Sequence, residues 1–262
     1  MDKAKEVAQE EAVRVKRLTQ DAVNSRAYLY PLKGIFYFAT HQSLWQPLWS
    51  QLAPTITTGI GVTTFMFALT YLPQAAALAI INGPFAVVSA IALVLSESSA
   101  ITSILARSFF IDAALLDTFD GTLVERNQTE LVTAGRTVKP GGSGVSRLGK
   151  VIRTPFSRFT PKAIIRNLMY LPLNFIPIVG TAIYIILQGK RSGPAALARY
   201  FQLKGMTARQ REEHVEKHRG AYTSFGVPAV LLEMVPFVGI FFAFTNTVGA
   251  ALWAAEMEEK SN

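Results

Sequence analysis

Two acidic side chains lie within stretches of the sequence that are otherwise uncharged, where a carboxylate is energetically unfavourable. Glu97 lies near the middle of the apolar stretch 85–106, and Glu233 lies in the apolar stretch 221–255. A carboxylate at bilayer depth costs roughly 2.5–3.5 kcal/mol on insertion scales, so it is a functional candidate by default. Glu97 could coordinate a cation, carry a proton or pair with a cation. Alternatively, it is protonated and hydrogen-bonded to neighbouring serines or to another helix.

A proline followed three residues later by a glycine occurs twice, in similar surroundings, in the C-terminal half of the chain. Proline in mid-helix removes a hydrogen bond and bends or breaks the helix. Each break would point a helix N-terminus, with its positive dipole end, towards a bound anion. Plain bends in packed helices are the alternative. The residues of this candidate helix-break and anion site are Pro177, Gly180, Pro236 and Gly239.

Further polar side chains accompany these breaks. Glu233 precedes Pro236 by three residues, where it can accept hydrogen bonds from the backbone donors that a helix break exposes. Asn174 and Asn246 are expected to form hydrogen bonds between helices rather than to bind a ligand. Together with Glu97, these residues make up a candidate intramembrane polar site.

A basic run, residues 137–166, lies between an acidic part of the chain (107–136) and the apolar stretch 167–189. Residues 137–166 contain seven Lys or Arg and no acid. A cation beside a membrane gains about 1 kcal/mol from anionic lipid, so we expect this run to contact anionic headgroups. We do not expect nucleic acid as a partner, because the run is short and belongs to no nucleic-acid-binding module. The residues concerned are Arg147, Lys150, Arg153, Arg158, Lys162 and Arg166.

The sequence carries no pattern typical of a catalytic or metal centre. It contains no cysteine, which excludes disulfides, zinc–thiolate sites and iron–sulfur centres. His214 and His218 are four residues apart on one helix face, but the surrounding segment is charged and solvated. The Gly-x-Ser-x-Gly, P-loop and His-Glu-x-x-His motifs are absent. We therefore expect neither an enzyme nor a bound metal or cofactor.

The elements that position these residues follow from a very uneven distribution of charge. The 262 residues include 26 Lys or Arg and 18 Asp or Glu. Residues 34–106 and 221–255 nevertheless contain one charge each, and residues 167–189 contain none. Uncharged runs of about 20 residues match the roughly 30 Å hydrocarbon core of a bilayer. The sequence therefore predicts an all-α integral membrane protein.

The apolar stretches divide the chain into a hairpin of two long spans and a second membrane unit. The two Pro/Gly-broken stretches either cross the membrane or form half-penetrating helical hairpins. We favour the hairpins, because they place every basic segment on one face, as the positive-inside rule requires. The predicted segments are a polar amphipathic helix and interfacial segment (1–33), the membrane hairpin (34–106, spans about 52–71 and 85–106), an acidic-then-basic section (107–166), the second membrane unit (167–255, apolar 167–189 and 221–255 around an exposed charged helix in 190–220) and an acidic tail (256–262).

Several motifs resemble a fungal family of membrane proteins. The longest are Tyr222–Ala229 and Phe242–Ala255, and shorter ones are Tyr30–Ile35 and Asn82–Pro84. The family is described as outer spore wall and lipid-droplet proteins, or as UsgS-like transmembrane proteins. It is distantly similar to the etoposide-induced protein family and the bacterial sulfate permease CysZ. The resemblance implies a helical membrane protein of the endoplasmic reticulum or lipid-droplet surface, and its permease relatives combine full spans with half-penetrating hairpins.

Two classes of function follow from these features. The first, which we favour, is a non-enzymatic multi-pass membrane protein with a lipid-organising or structural, spore-wall-related role. The second is an anion or small-solute transporter or channel built on the permease plan. The expected partners are membrane lipids, including anionic headgroups, and a second copy of the chain in a homo-oligomer.

Overall fold

The computed structural model describes residues 19–142, 144–152, 179–235 and 238–260. Over these residues the chain is almost entirely helical, with one short pair of strands, which confirms the predicted all-α class. The chain divides into two units. One comprises residues 46–115, and the other comprises the residues up to 45 together with those from 116 onwards. We call them the hairpin unit and the core unit.

The elements are numbered in chain order. Strands β1 (Arg136–Val138) and β2 (Leu148–Val151) pair antiparallel, with Val138 opposite Leu148. The helices are α1 (residues 19–25), α2 (Tyr30–Thr40), α3 (Gln46–Asn82), α4 (Ala86–Ala106), α5 (Asp112–Glu125), α6 (Thr129–Thr133), α7 (Val179–Ala196), α8 (Ala198–Leu203), α9 (Ala208–Lys217), α10 (Arg219–Glu233) and α11 (Gly239–Glu259).

The hairpin unit consists of α3 and α4, which pack against each other along their length. A tight turn at Gly83–Phe85 joins them, and Gly83 adopts a left-handed φ of 53° that favours glycine. Helix α3 extends beyond the predicted span end at residue 71, because residues 75–81 are mostly Ala and Leu, which are strong helix formers. The connection that the sequence predicts between the two spans, residues 72–84, is therefore mostly helical.

Among the described residues, two helical stretches are long and apolar enough to cross a membrane. The first is Gln42–Glu125, which includes the hairpin and has a mean hydropathy of 2.3 in its most apolar window. The second is α11, with a mean hydropathy of 1.2. The outward side chains of the hairpin are apolar and exposed, as expected for helices that contact lipid rather than water. They include Ile60, Phe65, Leu69, Leu72, Val88 and Ile104.

Helix α2 crosses α11 at two glycines that let the backbones touch. A Cβ atom added at Gly34 would lie 2.1 Å from the carbonyl oxygen of Thr245. A Cβ atom added at Gly249 would lie 2.3 Å from the carbonyl oxygen of Tyr30. Close approach through small residues is the usual way in which membrane helices gain packing energy, because the surrounding lipid offers no hydrophobic driving force.

An aromatic cluster fills the core unit beside this crossing. The ring of Trp253 stacks on those of Tyr30 and Phe225, at centroid distances of 5.9 and 5.6 Å. Tyr222 lies 5.1 Å from Trp253 and 6.0 Å from Phe201. Residues from sequence positions as distant as α2, α8, α10 and α11 therefore share one core.

The described parts of the acidic-then-basic section (107–166) and of the charged segment 190–220 are not wholly solvated. Both contribute buried apolar side chains to the core. Residues 140–142 form part of the connection between β1 and β2. Helix α9 has no buried residue, and a capping box of Thr207 and Gln210 begins it. The buried contributors are Phe119, Leu123, Val124, Val132, Leu197, Tyr200, Phe201 and Leu203.

The glycine crossing gives a direct test of the packing. We expect Gly34→Ala to lower the free energy of unfolding by about 1–3 kcal/mol, because its Cβ would overlap the Thr245 carbonyl and force the helices apart. Gly61→Ala in α3 is the control, since a Cβ there meets nothing within 4 Å. Thermal unfolding of the detergent-purified chain measures both. Equal melting temperatures for the two variants would contradict close packing at Gly34.

Candidate functional site

The structure places Glu97 in a hydrogen bond across the hairpin. The amide Nε2 of Gln74 on α3 donates to Glu97 Oε2 on α4 at 2.8 Å. Its partner is thus a side chain of another helix, whereas the adjacent Ser98 is buried and its hydroxyl has no partner among the described residues. The amide oxygen of Gln74 is also buried without a partner there. A polar cluster therefore lies within an otherwise apolar helix pair.

Two other predicted polar residues meet across a helix break. Helix α10 ends at Glu233 and α11 begins at Gly239. The buried Asn246 donates through Nδ2 to the carbonyl oxygen of Ala229 at 2.9 Å and to Glu233 Oε1 at 3.1 Å. A Cβ atom at Gly239 would lie 2.4 Å from the carbonyl oxygen of Glu233, so this glycine permits the start of α11 to lie close to the end of α10.

This arrangement serves to join α10 to α11. Asn246 uses both amide hydrogens on α10, which is the interhelical role expected for a polar residue at depth. Its Oδ1 is buried and has no hydrogen-bond partner in the described part of the chain. The side-chain oxygens of Glu233 and Asn246 thus place acceptors between α10 and α11.

The structure describes three of the remaining predicted site residues, Gly180, Arg147 and Lys150. Gly180 is in the first turn of α7. Arg147 donates through Nε to the carbonyl oxygen of Lys139 at 3.3 Å, and Lys150 is exposed on β2. Their contact with anionic headgroups stays a prediction. Outside the described residues lie Arg153, Arg158, Lys162, Arg166, Asn174, Pro177 and Pro236.

The core unit contains an ion cluster that the sequence did not reveal. Asp120 on α5 is fully buried, and Arg199 on α8 donates to both of its carboxylate oxygens, through Nε at 2.8 Å and Nη2 at 2.7 Å. Arg136 on β1 donates through Nη1 to Asp117 at 2.7 Å and to Asp120 at 3.3 Å. Its Nε donates to the carbonyl oxygen of Gly149 at 3.0 Å.

The cluster has two carboxylates and two guanidinium groups, so its formal charges cancel. Buried charges are tolerated when they are paired and hydrogen-bonded in this way, which makes a positioning role in the fold the direct interpretation. One sequence signal could have pointed to it. Asp117 and Asp120 lie three residues apart on one helix face, and Arg199 is the one charged residue in the mostly apolar run 195–203.

The predicted acidic tail (256–262) begins inside α11. The Tyr30 hydroxyl donates to the Glu256 carboxylate, and Glu258 accepts from Lys204 Nζ at 2.9 Å. Burial, together with the hydrogen bond to Glu256, raises the pKa of Tyr30 above its ordinary value. Tyr30 therefore stays a neutral donor at physiological pH and holds α2 against α11.

The two histidines of the charged segment take part in packing. His214 lies 5.9 Å from the ring of Phe201 and 6.1 Å from that of Tyr222, and its ring centroid is 5.0 Å from that of His218. Burial lowers the pKa of His214, and the charges of His218 and Lys217 lower it further. Within the described ranges, no group of three His, Cys, Asp or Glu side chains could hold a metal ion.

Comparison with known proteins identifies the family. The family model described as "Sulfate transporter CysZ/Etoposide-induced protein 2.4" matches residues 30–243. The chain belongs to this family. It is 28% identical to the outer spore wall protein RRT8 of Saccharomyces cerevisiae (strain ATCC 204508 / S288c) over 261 residues, covering 92% of this chain and 75% of the relative. It is 24% identical to the outer spore wall protein LDS1 of the same organism over 243 residues, covering 89% and 71%.

These matches confirm the resemblance that the sequence motifs suggested. The family match begins at α2 and ends within α11, so it includes the hairpin unit, the ion cluster and the helix break. The chain is therefore an all-α membrane protein of the CysZ/etoposide-induced protein family that is similar to yeast outer spore wall proteins.

The hydrogen bond between Gln74 and Glu97 can be tested with a double-mutant cycle. We expect Gln74→Leu and Glu97→Leu, alone and combined, to reveal a coupling free energy of about 0.6–1.7 kcal/mol, as for other polar pairs between membrane helices. Unfolding of each variant in detergent gives the four free energies. Strictly additive effects would show that the pair contributes nothing to the hairpin.

The ion cluster predicts a large effect for a small change. Asp120→Asn should lower the free energy of unfolding by about 3–5 kcal/mol, because it leaves Arg199 and Arg136 buried without their shared counter-charge. The control is Arg126→Gln, which removes a half-exposed pair with Glu259 at 3.2 Å and should cost less than about 1 kcal/mol. Chemical unfolding followed by circular dichroism separates the two. Similar losses for both variants would contradict the assignment.

Proposed function

We propose that the chain is a non-enzymatic multi-pass membrane protein of the endoplasmic reticulum and lipid-droplet surface, where it organises lipid or supports spore-wall-related membranes. The names of RRT8 and LDS1 assign those proteins to the outer spore wall, which supports the spore-related part. The geometry of the hairpin unit supports the lipid-droplet part.

The length and exposure of α3 carry this proposal. The helix has 37 residues and no charged side chain, so at 1.5 Å per residue it is about 55 Å long. A bilayer offers only about 30 Å of hydrocarbon, and a longer apolar helix has to tilt or bend to fit. A lipid droplet offers a much thicker apolar phase beneath its monolayer, so it can accept the whole helix.

The tip of the hairpin is apolar and exposed as well. Ile80 and Ile81 are 88% and 81% exposed, and Phe85 is 74% exposed. A hairpin that crossed a bilayer at right angles would place these side chains in water, which is unfavourable. A hairpin inserted into a neutral-lipid core would keep them in an apolar medium.

The alternative function is transport of an anion or small solute, which the family description includes for CysZ. The described helix break does not favour it. Glu233 and the Oδ1 atom of Asn246 contribute acceptors there, and a carboxylate repels an anion. We therefore keep lipid organisation as the proposed function.

Localisation of the tagged full-length chain in fungal cells tests the proposal. We expect it in the endoplasmic reticulum before oleate feeding and on droplet surfaces afterwards. Ile80→Lys should abolish the droplet signal but preserve the endoplasmic reticulum signal, because a lysine in an apolar core costs about 2.5–3.5 kcal/mol and a droplet has no water on its far side. Ser50→Lys, near the exposed start of α3, is the matched control.

Two outcomes would count against the proposal. If the parent chain never reaches droplets after oleate feeding, the proposed location is wrong. If Ile80→Lys reaches droplets as well as Ser50→Lys does, the apolar tip is not what admits the chain to the droplet.

A further inference from the structure

The core unit contains an open groove with a volume of about 830 Å³. Its walls come from α1, α2, α7 and α10. The wall formed by α10 changes character along the helix. Its first half contributes Arg219, Thr223 and Ser224, and its second half contributes Val227, Pro228 and Leu231. The groove is therefore polar at one end and apolar at the other.

Two cations mark the polar part of the groove. Arg219 lies on α10 and Lys190 on the facing helix α7. Lys190 is exposed. Arg219 pairs with Glu216 at 2.9 Å, but Glu216 is mostly exposed, and such surface pairs are worth only about 0–1 kcal/mol. A phosphate can replace this carboxylate, since a guanidinium binds both groups through paired hydrogen bonds.

The hydroxyls of Thr223 and Ser224 already donate hydrogen bonds within α10, so the two cations are the groups that can recognise an anion. Thr223 Oγ1 donates to the carbonyl oxygen of Arg219, and Ser224 Oγ donates to the carbonyl oxygen of Ala221. Neither hydroxyl has a hydrogen left to donate to a ligand. A phosphate or carboxylate headgroup would thus bind through charge.

The α10 wall of the groove, its polar and apolar parts together, is about as long as one membrane leaflet is deep. From Arg219 to Leu231 the α10 stripe extends about 18 Å at 1.5 Å per residue, and one leaflet contributes about 15 Å of hydrocarbon. Ile186 and Leu32 line the groove from the helices that face α10. The volume is near the upper end of ordinary ligand sites, so an inorganic phosphate would fill little of it.

We propose that this groove binds one anionic phospholipid. The phosphate lies between Lys190 and Arg219, and an acyl chain follows Val227, Pro228 and Leu231. This inference rests on the proposed lipid-organising function and names the class of lipid. Charge complementarity at one end and apolar lining at the other select this ligand over a neutral lipid.

Lipid binding to the purified full-length chain tests the site. The chain is delipidated in a neutral detergent and titrated with phosphatidic acid, with native mass spectrometry as the readout. Neutralising both cations, as Lys190→Gln with Arg219→Gln, should weaken binding roughly 30-fold, because each cation contributes about 1 kcal/mol. The matched control is Arg209→Gln with Arg211→Gln on the exposed helix α9, which removes the same charge and should leave binding unchanged.

A second variant tests the apolar part without touching the charges. Leu231→Trp should reduce the same binding, because its larger ring fills the groove while the exposed Leu231 position tolerates it. Equal melting temperatures for the variants and the parent establish that each variant is folded. Phosphatidylcholine and inorganic phosphate serve as competitors, and neither should displace phosphatidic acid.

Three results would overturn the site. They are equal weakening by the α9 control pair, phosphatidylcholine binding as tight as that of phosphatidic acid, and displacement by inorganic phosphate. Failure here is distinguishable from failure of the proposed function, because lipid binding is measured in detergent whereas droplet localisation is measured in cells. A chain that reaches droplets but binds no phosphatidic acid would keep the function and lose this site.

Discussion

The buried carboxylate of Asp120 is the constraint on which the core unit depends. Removing a carboxylate from water costs several kcal/mol unless cations and hydrogen-bond donors surround it. The donors come from α8 and β1, so both elements have to be in place around α5 before the cost is offset. Arg136 also binds the Gly149 carbonyl, which ties β2 to the same point. Elements α5, β1 and β2, which lie in a section of polar composition, are thereby made part of a packed core.

The sequence predicts features whose physical cause lies within one segment of the chain. It does not predict pairs of residues that only the tertiary fold brings together. Long uncharged runs identified the membrane class, because a bilayer excludes charge from every residue of a span. Arg199 and Asp120 are 79 positions apart, and a charge count treats each as solvated. The sequence analysis places Glu233 and Asn246 in one candidate polar site, but their separation of 13 positions spans a helix break and follows no helical period, so it predicts no hydrogen bond between them. Only the fold could show that they are partners.

Long apolar helices serve different purposes in the two units. The hairpin directs its apolar side chains outwards, where lipid can cover them. Helix α11 passes the same test of length and composition, yet most of it is buried within the protein. Its small side chains allow this close packing, and those that are fully buried include Ala250, Ala251, Ala254 and Ala255. Hydropathy alone therefore does not say whether an apolar helix meets lipid or protein.

The contact between α2 and α11 has a consequence for biogenesis. Tyr30 and Glu256 are 226 positions apart, so the ribosome adds 226 residues after Tyr30 before the two can meet. At about 5–20 residues per second, this delay amounts to roughly 10–45 s. During that interval the newly made α2 exposes the glycine surface that α11 will later cover. Insertion of the hairpin helices thus precedes closure of the core unit, and a nascent chain stalled before α11 would present an unfinished surface to cellular quality control.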